Sequence, residues 1–95
     1  MKPGMGLLFL GSQYPIIVSE KEYRLNLLFS HVHLHCYMII DLKMGDFIPE
    51  LLGKMSFYVV AVDNMLCRDR DDPTIGIILC KSKDKTIVEL ALQGN

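Results

Sequence analysis

The segment that most restricts this chain is Thr74 to Cys80, TIGIILC, a run without a charged residue and without polar alternation. A run of this kind is the sign of a strand buried on both faces, as in parallel pairing reached by a crossover. The crossover is visible just before it. Ile48, Leu51, Leu52, Met55, Val59, Val62 and Leu66 recur at helical spacing, and Pro49 suits a first helical turn. Arg68 to Pro73 is charged and predicts a solvated turn between helix and strand. Upstream, Leu7 to Leu10 and Tyr14 to Val18 are short apolar runs, the second marked as an edge by Pro15. Tyr23, Leu25, Leu27 and Phe29 alternate with Arg24, Asn26, Leu28 and Ser30, and a densely apolar strand follows from about His35 to Lys43. Thr86 to Leu92 is ambiguous, because Thr86-Ile87-Val88 favours strand and Glu89 to Leu92 favours helix. The expected class is α/β, with strands, a helix, a buried strand and a final element.

With 95 residues there is room for a single domain spanning 1–95. Apolar residues make up 51%, which excludes a disordered chain, and a net charge of −1 argues against a polybasic binder while permitting a local phosphate site. Cys36, Cys67 and Cys80 are odd in number and lack a CxxC pair, so buried thiols in a reducing compartment are expected rather than a disulfide framework. The N-terminus has too short an apolar stretch for a signal peptide, and no window offers the roughly 18 apolar residues of a membrane span. The chain is expected to be cytoplasmic, with no membrane partner.

Chemistry concentrates at the end of the second long strand. Asp41 and Lys43 are two apart, which places both on one face of a strand. The bland explanation is a strand emerging into water. The preceding strand adds weight to a second explanation. If the two strands form a hairpin turning near His33 and Leu34, opposed residues have numbers summing to about 67, and Asn26 faces Asp41 with Cβ atoms about 5 Å apart. An acid, an amide and an ammonium on one patch can hold a hard divalent cation beside a lysine that steadies phosphate charge or an attacking water.

Two stretches, DLKMGDFIPELLGKMSFY and DDPTIGIILCKSKDKTIVELAL, resemble the C-terminal nuclease domain of YhcG-type bacterial proteins, in the PD-(D/E)XK superfamily. The resemblance runs from about Gly6 to Gly94. It implies a restriction-endonuclease-like core: a mixed central sheet, with an antiparallel hairpin and a parallel crossover strand, flanked by helices. It also implies a helix over Thr86 to Leu92. Asp41 matches the acidic Mg²⁺ (or Mn²⁺) ligand of the motif, Lys43 its water-orienting lysine, and the Leu42 carbonyl a further metal ligand. Asn26 falls where the family has its first metal-binding aspartate, so one formal negative charge is missing. Lys54 and Tyr58 match a helix position that often carries Gln and Tyr, although Lys54 could equally pair with Glu50. The family pattern has a helix before the first strand and a strand after the last helix, so this chain is expected to be an incomplete domain.

Lys81, Lys83 and Lys85 could contact a DNA backbone or simply form a solvated loop. His31, His33 and His35 beside Cys36 could suggest zinc, but a hairpin turn need not keep strand geometry and the resemblance makes it an exposed loop. Two functions follow. One is metal-dependent hydrolysis of DNA phosphodiester bonds. The other is a catalytically degraded member of the family, acting through nucleic-acid or protein contacts. A homodimer or other subunits are compatible with both.

Overall fold

Hairpin-forming alternation in the N-terminal half and a helical crossover in the C-terminal half together build one five-stranded mixed sheet. The structure is a computed structural model and describes residues 6–68, 71–82 and 85–92. In chain order the elements are β1 (Leu7–Val18), β2 (Lys21–His31), β3 (Cys36–Met44), α1 (Pro49–Met65), β4 (Ile75–Lys81) and β5 (Thr86–Leu92). The strands lie side by side in that same order. Only β3 and β4 run parallel, and α1 makes the crossover between them.

Leu7 to Val18 forms one strand rather than two runs broken at Gly11. The register to β2 shifts between Phe9 and Gly11, a bulge that lets the strand continue past the glycine. Pro15 sits in this edge strand, where its missing N–H costs no interior ladder bond. β2 and β3 pair in the register Leu27↔Ile40 to His31↔Cys36, each pair summing to the expected 67. In β2 the expected alternation is interrupted. Leu25 and Leu28 are both fully buried, three residues apart, so the inward face is reset at Asn26 and Leu27. Across from this point, in β1, Gln13 adopts a positive φ of 50°.

Beyond Leu27↔Ile40, β2 parts from β3 while continuing to pair with β1 as far as Val18↔Lys21. This ribbon packs against the helix, with the Tyr23 ring 5.0 Å from Phe57 and 6.3 Å from Tyr58. Helix α1 otherwise packs on β3, β4 and β5. It starts at Pro49 after the extended Ile48 and ends at Leu66, whose N–H donates to Val62 O. Met55, Tyr58, Val59, Ala61 and Val62 are its buried residues. A fully buried Val or Met side chain contributes about 1.5–3 kcal/mol. On the sheet, Gly76 lies under α1 so closely that a Cβ there would stand 2.6 Å from Met55 Cγ and 2.9 Å from Val59 Cγ2.

Two expectations need correction. Thr86 to Leu92 is strand β5, paired antiparallel with all of β4, and not a helix. The β-branched start Thr86-Ile87-Val88 and a tight connection from β4, with Ser82 N–H donating to Lys85 O at 2.8 Å, favour a hairpin over local helix propensity. The continuous run of β4 is likewise buried on one face only. Gly76, Ile78 and Cys80 are buried under α1, whereas Ile75, Ile77 and Leu79 are half-buried on the other face. Among the described residues the sheet carries one helix, on one side.

Candidate active site

Asp41 lies on the helix-covered face of β3, in a cross-strand row with Ile78 and Glu89. Its place there follows from strand alternation. Ile39 and Asp41 point the same way, and Ile39 is aligned with Gly76 beneath the helix. Asp41 is 9% exposed, an uncommon position for a carboxylate. Lys43, two residues on and half-buried, brings Nζ to 3.8 Å from Asp41 Oδ2. That is longer than the 2.7–2.9 Å of a tight charge-assisted hydrogen bond, so the ammonium is close enough to feel the carboxylate yet free to serve a further atom.

Asn26 completes the patch. Its Oδ1 accepts a hydrogen bond from Leu42 N–H at 3.2 Å. The interaction arises where β2 leaves β3, the amide oxygen taking a donor that the β2 backbone no longer meets. A strand residue's N–H and C=O point to the same edge, so Leu42 O also faces the side vacated by β2. The Leu42 side chain is 51% exposed on the opposite face from Asp41. Asn26 does not face Asp41 across the ladder as expected, because the β2–β3 register ends at Leu27↔Ile40; its amide reaches the Leu42 N–H instead, while Lys43 stands beside Asp41. All the acceptors present are hard oxygens, the donor type that suits Mg²⁺ or Mn²⁺. One carboxylate, one amide and one backbone carbonyl can therefore hold such an ion, with a single formal negative charge to neutralise it.

The remaining candidates are placed less closely. Lys54 is exposed on α1, with Nζ 5.8 Å from the centroid of the Tyr58 ring. Its partner is that ring rather than Glu50: no Lys54–Glu50 ion pair forms among the described residues. Lys81 ends β4 opposite Met44, and Lys85 precedes β5; both are exposed at the end of the sheet that carries Lys43. Lys83 lies outside the described residues. His31, His35 and Cys36 border a hollow of about 300 Å³ together with Asp71, at the other end of the sheet. Cys36 is five residues before Asp41, about 17 Å away along the strand. Among the described residues no group of three His, Cys, Asp or Glu side chains is placed to hold a metal. All three cysteines are free. No helix among the described residues is long and apolar enough to cross a membrane.

Asp63 was not legible in the sequence. From the last turns of α1 its Oδ1 accepts from Thr74 N–H at 2.8 Å, Thr74 Oγ1–H at 2.6 Å and Cys67 Sγ at 3.2 Å. Thr74 is fully buried. This bond set ties the end of the helix to the start of β4, and so fixes the crossover that sets β4 beside the Asp41 strand. Burial pushes the Cys67 thiol up to about 11, with the neighbouring Asp63 adding to the rise and a hydrogen bond with Thr74 opposing it. Burial also raises the Cys36 thiol, aided by Asp72 and Asp71. Neither cysteine is suited to act as a nucleophile at neutral pH.

Comparison with known proteins shows the family of the chain. The Escherichia coli K12 protein named "Putative nuclease YhcG" is 33% identical over 86 residues, covering 90% of this chain and 23% of that protein. The chain thus spans about a quarter of the length of the curated relative it matches. No solved structure matches it. The whole of it, residues 1–95, matches the YhcG PDDEXK nuclease domain, and with a mixed α/β sheet that carries Asp41-Leu42-Lys43 at the strand end, the chain belongs to that family.

Proposed function

We propose that this chain hydrolyses DNA phosphodiester bonds with the aid of a divalent cation, Mg²⁺ or Mn²⁺, at the Asp41–Lys43 patch. The observation that carries the reading is the convergence of Asp41, the Leu42 edge and Asn26 Oδ1 where β2 departs from β3. Asp41, Leu42 O and Asn26 Oδ1 are the ligands. The cation, when bound, supplies charge neutralisation at the phosphate. Lys43, held near Asp41 without a tight bond, orients the attacking water and offsets charge developing on the phosphoryl oxygens. Lys81 and Lys85 stand at the same end of the sheet and are the groups for backbone phosphates, and Lys83, between them in sequence, is assigned the same part. Lys54 serves the same purpose from α1.

A second reading is favoured by one specific observation. Asn26 Oδ1 already accepts from Leu42 N–H, which gives the amide a complete structural reason to be there. In that reading the chain keeps the fold and its nucleic-acid or protein contacts but does not hydrolyse. An amide oxygen has a second lone pair, so the hydrogen bond does not by itself prevent metal ligation.

Incubation with plasmid and linear DNA in Mg²⁺ or Mn²⁺, alongside Asn26→Asp and Asp41→Ala, separates the two. Cleavage by the native chain that disappears in Asp41→Ala supports hydrolysis at this site. Cleavage by Asn26→Asp alone supports the second reading. Inertness of all three, with folding verified by circular dichroism, overturns the hydrolytic proposal for this chain.

A further inference from the structure

Where the β1–β2 ribbon lies against α1, three aromatic rings and two lysines form a cluster outside the Asp41–Lys43 patch. The Tyr23 ring is 5.0 Å from Phe57 and 6.3 Å from Tyr58, and Phe57 and Tyr58 are 5.9 Å apart. Lys21 Nζ lies 5.5 Å from the centroid of the Tyr23 ring, and Lys54 Nζ 5.8 Å from that of Tyr58. Strand alternation builds the arrangement. Lys21 and Tyr23 share the face of β2 turned to the helix, whereas Glu22 and Arg24 pair with each other at 2.8 Å on the opposite face. Burial is graded across the rings: Tyr58 is buried, Tyr23 half-buried and Phe57 39% exposed. The cluster is thus anchored in the core and presents one ring to solvent.

We propose that this cluster is a stacking subsite for an unpaired nucleobase, with Lys21 and Lys54 serving the neighbouring phosphates, so that the substrate is DNA with a single-stranded segment. Aromatic rings flanked by cations suit a single strand because every base has a π-face and every linkage carries an anion. A base inside a duplex is stacked on both sides and has no face to offer, so the occupant is unpaired. The two ammonium groups decide the class of occupant. Both lysines are exposed, and among the described residues neither forms an ion pair. An apolar helix or sheet laid over Phe57 would bury both charges without a counterion, which is costly. A nucleic-acid strand sets an aromatic plane on the ring and a phosphate by each ammonium.

The subsite borders the proposed point of cleavage. Tyr23 is three residues from Asn26 on β2, about 10 Å along the strand, and Asn26 Oδ1 accepts from Leu42 N–H at 3.2 Å. Lys54 stands early in α1, which begins at Pro49 just beyond the end of β3 that carries Lys43. Asp41 and the Tyr23 ring both face the α1 side. The inference rests on the nucleic-acid reading of the Asp41–Lys43 patch, but on neither metal binding nor turnover.

Fluorescence anisotropy in EDTA measures binding of the chain to three labelled probes of equal length: an oligothymidylate, its duplex with oligoadenylate, and an abasic sugar-phosphate strand. The oligothymidylate is expected to bind at least about fivefold more tightly than the abasic strand. Phe57→Leu keeps an apolar side chain without the π-face. It is expected to weaken oligothymidylate binding about 5- to 150-fold and to leave abasic and duplex binding unchanged. Phe57→Trp is expected to bind the oligothymidylate at least as well as the native chain. Lys54→Gln is expected to weaken the oligothymidylate and the abasic strand alike, and to reduce the salt slope by about 0.7. Should Phe57→Leu fail to fold by circular dichroism, Phe57→Met decides in its place. Equal affinity for the oligothymidylate and the abasic strand, or measurable binding to neither, overturns the proposal. So does a folded Phe57→Leu chain that binds the oligothymidylate as the native chain does. If that variant binds normally while the native chain cuts DNA through Asp41, the subsite fails and the hydrolytic reading stands. Phe57-dependent strand binding by a chain that cuts nothing has the reverse meaning.

Discussion

Replacing Asn26 with aspartate restores a second carboxylate beside Asp41, and its thermodynamic effect can be worked out without reference to turnover. The aspartate keeps an oxygen where Asn26 Oδ1 accepts from Leu42 N–H, so the structural hydrogen bond survives. Held on Leu42 N–H where β2 leaves β3, the new carboxylate stands across one strand spacing, about 5 Å, from the Asp41 end of β3. Coulomb repulsion at that distance is about 1 kcal/mol in water and about 3 kcal/mol at an effective dielectric of 20. The burial of Asp41 favours the upper part of that range. In EDTA, Asn26→Asp is therefore expected to be less stable than the native chain by about 1–3 kcal/mol in urea unfolding. A divalent cation reverses the sign, because it binds the folded pair and not the unfolded chain. With a Kd of about 0.1 mM, 10 mM Mg²⁺ adds about 2.7 kcal/mol. The native chain, with one carboxylate, is expected to gain less. If Asn26→Asp matches the native chain in EDTA and Mg²⁺ shifts neither, Asn26 does not share a site with Asp41 and the metal-ligand assignment fails.

Two more predictions concern the connection that sets β4 in place. Asp63→Ala removes the acceptor of both Thr74 donors and leaves them buried, at an expected loss of about 2–4 kcal/mol in urea unfolding, whereas Asp63→Asn retains an acceptor and loses about half as much; equal stability of Asp63→Ala and the native chain would refute the role. Cys67 titrates near 11 in the folded chain against about 9 when unfolded, so the folded state holds the thiol proton more tightly. Stability from this group is complete below about pH 9 and is lost as pH rises towards 11. Thermal melts at pH 8 and pH 10.5 should therefore diverge more for the native chain than for Cys67→Ala, and an identical pH dependence would contradict the assignment.

Where sequence reasoning succeeded, local pattern and global structure agreed. The helix was marked by spacing and by Pro49, and the hairpin register by a turn near His33 and Leu34 flanked by two long apolar strands. The patch was readable only in part: the register brings Asn26 beside the end of β3, but the ladder stops at Leu27↔Ile40 and the amide meets Leu42 N–H instead of facing Asp41. Thr86 to Leu92 was open between strand and helix from its residues, and the helix implied by the resemblance failed because β4 supplies a full ladder of backbone bonds. The reset of β2 between Leu25 and Leu28 was hidden because the strand is apolar on both sides, and alternation alone cannot locate a break in such a strand. Asp63 was hidden because a lone acid at a helix end is ordinary in sequence, and its partner Thr74 is eleven residues away.

The sequence by itself determined that an apolar strand follows a crossover helix, that a hairpin precedes it, and that Asp41-Leu42-Lys43 ends a core strand. These follow from periodicity and from the short range of turn and helix signals. Only the tertiary structure decided that among the described residues β4 is covered on one face alone, that Asn26 holds the Leu42 N–H where β2 turns away, and that Asp63 ties the helix end to Thr74. Those outcomes depend on which surfaces meet across the whole sheet. Residues distant in sequence settle them, and no local window contains that information.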